Sequence, residues 1–203
     1  LPIDNAQVKH QVVAVIGCYG KFICDHAEVF SWSINYLLNS LWNSKDSAAN
    51  ASVIASSFRD LCEEAQECIG KNVTFSQQLV ATCVKYVNSL PLDVALIVYE
   101  SLSYIVSSCT SNLQAQTEMI KTMMQAIAMQ MNTLSSAVNQ YNADLVANEL
   151  LKVSSVIKAF DGAKQQDALL MVFKQVWPLI ERVLHQFKQF HVVVSNLCSL
   201  LKD

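Results

Sequence analysis

The sequence predicts an all-α fold, an α-α superhelix of the HEAT/ARM-like solenoid class with about four and a half helical hairpins. Three observations predict it. Apolar residues recur at spacings of three and four from one end of the chain to the other. Gly and Pro are scarce, at four and three among 203 residues, where a strand-rich fold needs many turn residues. Helical segments begin near residues 6, 48, 92, 142 and 189, steps of roughly 40 to 50 residues, the period of HEAT and armadillo units.

The first segment, about 6–24, carries Val8, Val12, Val15, Ile16, Tyr19, Phe22 and Ile23 on one stripe. The second, about 27–43, has Phe30, Ile34, Leu37, Leu38 and Leu41. The third, about 48–69, has Ile54, Phe58, Leu61, Cys62, Ala65 and Ile69, and the fourth, about 74–89, has Leu79, Cys83, Tyr86 and Val87. Pro91 then opens the fifth, about 92–108, with Asp93 in its first turn; a proline is tolerated at a helix start, where its missing N–H would be unpaired anyway. The sixth, about 113–137, contains Ile120, Met123, Met124, Ile127, Met131 and Leu134. The seventh, about 143–160, is expected to end at Asp161-Gly162. The eighth, about 165–187, holds Pro178, which removes a backbone hydrogen bond and is expected to kink the helix near Trp177. The ninth runs from about 189, with Val193, Leu197 and Leu200 as an apolar stripe expected to lie open.

These segments pair as hairpins over about 6–43, 48–89, 92–137 and 143–187, with a half hairpin over 189–203, all in one HEAT-repeat segment covering 1–203. A closed helical bundle has the same periodicity and stands as the alternative. The open ninth stripe favours the stack, and a chain starting at Leu1 suggests a piece of a longer solenoid.

Composition bounds the function. Charged residues make up 15% of the chain, against about 25% in ordinary domains. The net charge is −3, with no run of Lys and Arg longer than two, so no footprint for nucleic acid or an anionic membrane is present. No apolar run approaches the ~20 residues that span a bilayer. Seven cysteines without a C-x-x-C pair read as reduced thiols on apolar stripes, as in a cytosolic or nuclear protein. Asn50-Ala-Ser and Asn72-Val-Thr match the glycosylation triplet, which arises by chance at this length.

No metal-binding or nucleophile motif is present: H-E-x-x-H, E-x-x-H, a phosphate loop and G-x-S-x-G are all missing. His10, His26, His185 and His191 are scattered and read as surface residues, so no enzyme and no cofactor is expected. Arg59 and Glu63 lie four apart and can pair weakly on a solvated face.

Four stretches, among them the apolar helix Ala143 to Phe160 that precedes the Trp-Pro one, resemble the importin-β superfamily of HEAT-repeat transport receptors, closest to the transportin-SR, importin-thirteen and Mtr-ten branch. Ser47 to Ile69, SAANASVIASSFRDLCEEAQECI, is similar to that branch's small-Ala-Phe-Arg-x-x-Cys-Glu helix. Leu90-Pro91-Leu92-Asp93 resembles its proline-led helix start, and Val172 to Phe187, VFKQVWPLIERVLHQF, its Trp-Pro helix. The regular Asp/Arg ladder of many HEAT repeats is absent, as are the Arg-rich helix and the Ran-gripping repeats of such receptors.

The resemblance implies a nuclear transport receptor segment, shuttling between cytoplasm and nucleus through the nuclear pore. It implies protein cargo, including Arg/Ser-rich or RNA-binding proteins, with release by Ran-GTP and passage by contact with Phe-Gly nucleoporins. Nucleic acid and membrane are not expected as direct partners. A HEAT scaffold or regulatory subunit unrelated to transport is the alternative.

In the superfamily the second helix of each hairpin lines the concave surface. That directs attention to Glu118, Lys121, Thr122 and Gln125 on the sixth segment and to Lys174, Gln175, Glu181, Arg182 and His185 on the eighth. The plainer reading of each is a solvated polar face. The sixth segment's Met123, Met124, Met129 and Met131 suit packing between hairpins or an adaptable groove. Tyr19, Phe22 and Tyr104 are candidates to receive nucleoporin Phe side chains.

Overall fold

A computed structural model describes residues 6–44, 48–160 and 166–202. Among these the chain is helical throughout, without a strand. The helices are α1 (Ala6–Cys18), α2 (Gly20–Cys24), α3 (Ala27–Trp42), α4 (Ala48–Lys71), α5 (Val73–Tyr86), α6 (Leu92–Ser108), α7 (Leu113–Leu134), α8 (Gln140–Lys158), α9 (Asp167–Phe187) and α10 (His191–Leu200). A 3-10 turn, Val87–Ser89, extends α5.

The helices form two layers. In the first, α1 and α2 pack on α4, α4 on α6, α6 on α8, and α8 on α10. In the second, α5 packs on α7 and α7 on α9, and α3 reaches α5 through two ring contacts, Phe30 with Phe75 at 5.7 Å and Trp42 with Tyr86 at 5.5 Å. No substantial contact joins α1, α2 or α3 to α8, α9 or α10 among the described residues. The chain is therefore an open α-solenoid, in which each hairpin touches the ones beside it, and one core runs continuously from Val13 to Leu200.

The hydrophobic stripes explain the layers. α6 lies between two first-layer neighbours and a second-layer partner, so Val94, Val98, Tyr99, Leu102, Ile105 and Val106 are all sealed from solvent. α4 and α6 approach closely because residue 70 is glycine: a Cβ there would sit 2.8 Å from the Ser108 carbonyl oxygen. Ser108 Oγ donates across this seam to the Gln66 carbonyl at 2.6 Å, and Ser52 Oγ donates to Asp93 Oδ2 at 3.0 Å nearer the start of α6.

The turns inside the hairpins share a device. A helix leaves its last carbonyls without intrahelical donors. Here a polar side chain of the following helix supplies one: Ser76 Oγ donates to Ile69 O at 2.9 Å, and Gln116 Nε2 to Val106 O at 3.0 Å. Just ahead of α9, Gln166 Nε2 donates to Phe160 O, beyond the end of α8, at 3.3 Å. Helix starts are closed by asparagine. Asn72, Asn112 and Asn139 accept from the N–H groups of Phe75, Ala115 and Asn142.

Three sequence expectations change. The segment over 6–24 is broken after Cys18, because Gly17 and Gly20 press the backbone against Ser57 and Glu64 of α4 and the chain bends at Tyr19 to keep both contacts. α8 starts at Gln140, not 143, because Asn139 caps it. The stripe of α10 is not open: Val193 and Leu200 are buried in the core against α8, and Leu197 is half-buried. α9 continues as helix through Pro178. Asp161-Gly162 lies outside the described residues.

Candidate binding surfaces

The residues singled out on α7 and α9 fall on two adjoining strips. On α7, Glu118, Thr122 and Gln125 are exposed and Lys121 is half-exposed, with Lys121 Nζ 3.7 Å from Glu118 Oε1. Their core-facing counterparts Ile120, Met123, Met124 and Ile127 hold the helix in place. Where α7 meets α9, Lys121, Gln125 and Met129 face Gln175, Val176 and Leu179 across a shallow groove of about 350 Å³. The structure thus brings Lys121 and Gln125 together with Gln175. Lys174, Glu181, Arg182 and His185 are exposed but do not line this groove; their spacing along α9 sets them on the outward strip beside it. Such an arrangement can hold a polypeptide surface through salt-dependent polar contacts.

Of the methionines, Met123, Met124 and Met131 are packing residues, fully buried, and only Met129 is open to the groove. On the opposite layer Tyr19 and Phe22 are more than half exposed, with the Phe22 ring 4.7 Å from that of His26. Tyr104 is half-buried and donates to Glu100 Oε1 at 3.0 Å. Arg59 Nη2 meets Asp60 Oδ1 at 3.4 Å, in place of the expected pairing with Glu63.

A larger cleft, of about 510 Å³, lies where α1 and α3 splay apart over the start of α4. Asn35, Asn39 and Asn43 stand in its α3 wall, beside Trp32 and Tyr36, whose rings stack at 5.1 Å. Lys9 closes it from α1. The sequence reading did not single out this cleft, although amides at 35, 39 and 43 share one helix face and were legible there.

One buried polar cluster joins the layers' interior. Lys152 Nζ donates to Glu149 Oε1 at 2.6 Å and to Asn88 Oδ1 at 3.2 Å, and both charged side chains are about a tenth exposed or less. Burial pushes the Glu149 carboxyl up from its usual range, opposed by the Lys152 ammonium. Burial, reinforced by Glu149, also pushes the Tyr99 phenol up.

Burial likewise pushes up the thiols of Cys62, Cys83 and Cys109, and that of Cys24 to about 11, with Cys68 and Asp25 adding to the last. Each shift favours the unreactive protonated form. All seven cysteines are free thiols. Among the described residues no group of three His, Cys, Asp or Glu could hold a metal ion, and no helix is long and apolar enough to cross a membrane. Comparison with protein-family models gives no match, and comparison with curated proteins gives none either.

Proposed function

We propose that this chain is a HEAT-repeat segment of a nuclear transport receptor of the importin-β superfamily, in the transportin-SR/importin-thirteen branch, and that it works by binding protein cargo without chemistry of its own. One observation carries the reading. The four resembling stretches fall on α4, on the start of α6, on α8 and on α9, which are successive first-layer helices and a second-layer helix of one open stack. Within the first stretch Phe58, Leu61 and Cys62 point into the core while Asp60, Glu63 and Glu64 stay outside, as an amphipathic helix of a HEAT hairpin requires.

On this reading the second layer faces the cargo. The α7–α9 groove, with Lys121, Gln125 and Gln175, and the neighbouring strip of Lys174, Glu181 and Arg182 form part of the contact surface. Tyr19 and Phe22, exposed on the other layer, suit apolar insertion by Phe-Gly repeats. An open stack also lets small shifts between neighbouring hairpins add up, so the surface can adapt to cargoes of different shape and let go when Ran-GTP competes for it.

The test is co-purification of the intact cellular protein with GTP-loaded Ran and with Phe-Gly nucleoporin repeats. Binding to both, with bound proteins released by GTP-loaded Ran, is expected. Binding to neither overturns the transport reading and leaves a HEAT scaffold of another kind.

A further inference from the structure

We propose that Cys24 of α2 and Cys68 of α4 are a covalent modification site, a dithiol that a peroxide oxidises to a reversible disulfide tying the first hairpin to the second. The packing of α1 and α2 on α4 sets the pair in register. A Cβ at residue 17 would lie 3.1 Å from Ser57 Cα, and one at residue 20 would lie 3.5 Å from Leu61 Cα and 3.0 Å from Glu64 Cβ. Residue numbers rise together on the two sides of this seam, so the helices run parallel. Cys24 and Cys68 each stand four residues beyond Gly20 and Glu64, on the same faces and one turn further on.

The sulfur atoms follow the same placement. Cys24 Sγ donates to the Gly20 carbonyl at 2.9 Å, which leans it back along α2. There the Cys68 sulfur and the carboxylates of Asp25 and Glu64 all act on it electrostatically. A disulfide requires Cβ atoms about 3.8 Å apart, a separation that helices pressed together at a glycine can reach.

The two cysteines divide the chemistry. Cys68 is exposed and Cys24 is half-buried. The Cys68 thiolate attacks a peroxide oxygen; the O–O bond breaks, the sulfur gives up two electrons, and Cys68 sulfenic acid and water result. The Cys24 sulfur then attacks the Cys68 sulfur. The S–S bond forms as the S–O bond breaks, and the departing hydroxide takes the Cys24 proton as a second water. Burial and its charged neighbours hold the Cys24 thiol protonated, which leaves Cys68 as the first target. Once Cys68 is oxidised, the second attack is intramolecular, and proximity offsets the small thiolate fraction of Cys24. The disulfide carries no charge, so the burial and carboxylates that oppose a Cys24 thiolate do not oppose the product.

The remaining cysteines fit these roles less well. Cys62, Cys83 and Cys109 are sealed in the core, out of a peroxide's reach. Cys18 and Cys198 are exposed on α1 and α10, on helices that do not pack on one another among the described residues.

The experiment treats the whole reduced chain with hydrogen peroxide, blocks remaining thiols with N-ethylmaleimide, and maps the digested protein by mass spectrometry without reduction. The expected product joins the peptide of Cys24 to that of Cys68, lighter than their sum by two hydrogens, and dithiothreitol separates them again. Cys68→Ser, at an exposed position, should abolish the cross-link. Cys24→Ser should leave Cys68 as a sulfenic acid that dimedone traps, and unchanged far-UV circular dichroism checks that both variants keep the fold. The bond should also raise the urea midpoint of the oxidised chain, with a return on reduction, because it constrains the unfolded state.

The proposal is overturned if Cys68 is oxidised without capturing Cys24, if Cys24 is joined to Cys62 or Cys18 instead, or if the cross-links run between chains. A midpoint that stays level or falls overturns it as well, since the bond would then distort the packing of α2 on α4. The pair depends on that packing alone, so its test stands apart from Ran and nucleoporin binding.

Discussion

The central hairpin, α6 and α7, and the first hairpin, α1 to α3, are built from the same periodicity and end up with opposite characters. α6 has a neighbour on each side and a partner across the layers, so Tyr99, Leu102 and Ile105 are completely buried and even its Ser101 and Ser103 turn inward to donate to the carbonyls of Ile97 and Tyr99. Among the described residues the first hairpin is covered from one side. It leaves Val15, Tyr19, Phe22 and Trp32 more than half exposed, and α1 and α3 diverge enough to open the asparagine-lined cleft. Within the described residues, a helix with neighbours on both sides is therefore buried down to its polar side chains, and one with a described neighbour on a single side keeps apolar side chains exposed.

Substitutions can break or sharpen this contrast. The largest loss is expected from Lys152→Ala, which leaves the Glu149 carboxylate buried without its cation; about 3–5 kcal/mol of stability should be lost in urea titration. Leu102→Ala in α6 follows, at about 2–5 kcal/mol, because the tightly packed site cannot collapse around the cavity. Asn72→Ala removes the cap that accepts from Phe75 N–H and is expected to cost about 1 kcal/mol. Val15→Ala, the counterpart of Leu102→Ala in the first hairpin, should change stability by no more than about 0.5 kcal/mol. Equal losses at Leu102 and Val15 would erase the contrast.

The buried pair adds a pH signature. The Glu149 carboxyl is raised in the folded state, so the fold binds a proton there more tightly than the unfolded chain does. Its contribution is fully present below the unfolded carboxyl value of about 4.3 and is lost as pH rises through the higher folded value. Stability of wild type relative to Glu149→Gln should thus fall as pH rises across that window. A difference that stays flat with pH would contradict the buried placement.

Much of this fold was legible in the sequence, and the reasons for the rest are physical. α6 was read with the right ends because Pro91 marks its start and its apolar spacing is unbroken. The break after Cys18 was missed because it depends on how closely α4 approaches Gly17 and Gly20, and local periodicity carries no trace of a neighbour. The burial of Val193 and Leu200 was missed for the same reason: α8 supplies the cover. Exposure of Glu118, Gln125, Lys174, Glu181 and Arg182 followed from their place opposite the apolar stripe, but the meeting of Lys121 and Gln125 with Gln175 across α7 and α9 did not. The amide row of α3 was visible in spacing alone, yet the cleft it lines required the splay between α1 and α3, a tertiary feature.

The open stack itself is tested most directly by the separation between its two ends. Cys18 of α1 and Cys198 of α10 are native, free and exposed, and can carry spin labels once the exposed Cys68 is replaced by Ser. Four first-layer steps separate them, α1 to α4 to α6 to α8 to α10, each about 8–10 Å. Pulsed electron–electron resonance should report a distance of about 30–40 Å. A distribution centred below about 20 Å, as in a bundle whose first and last helices share one core, would contradict the account.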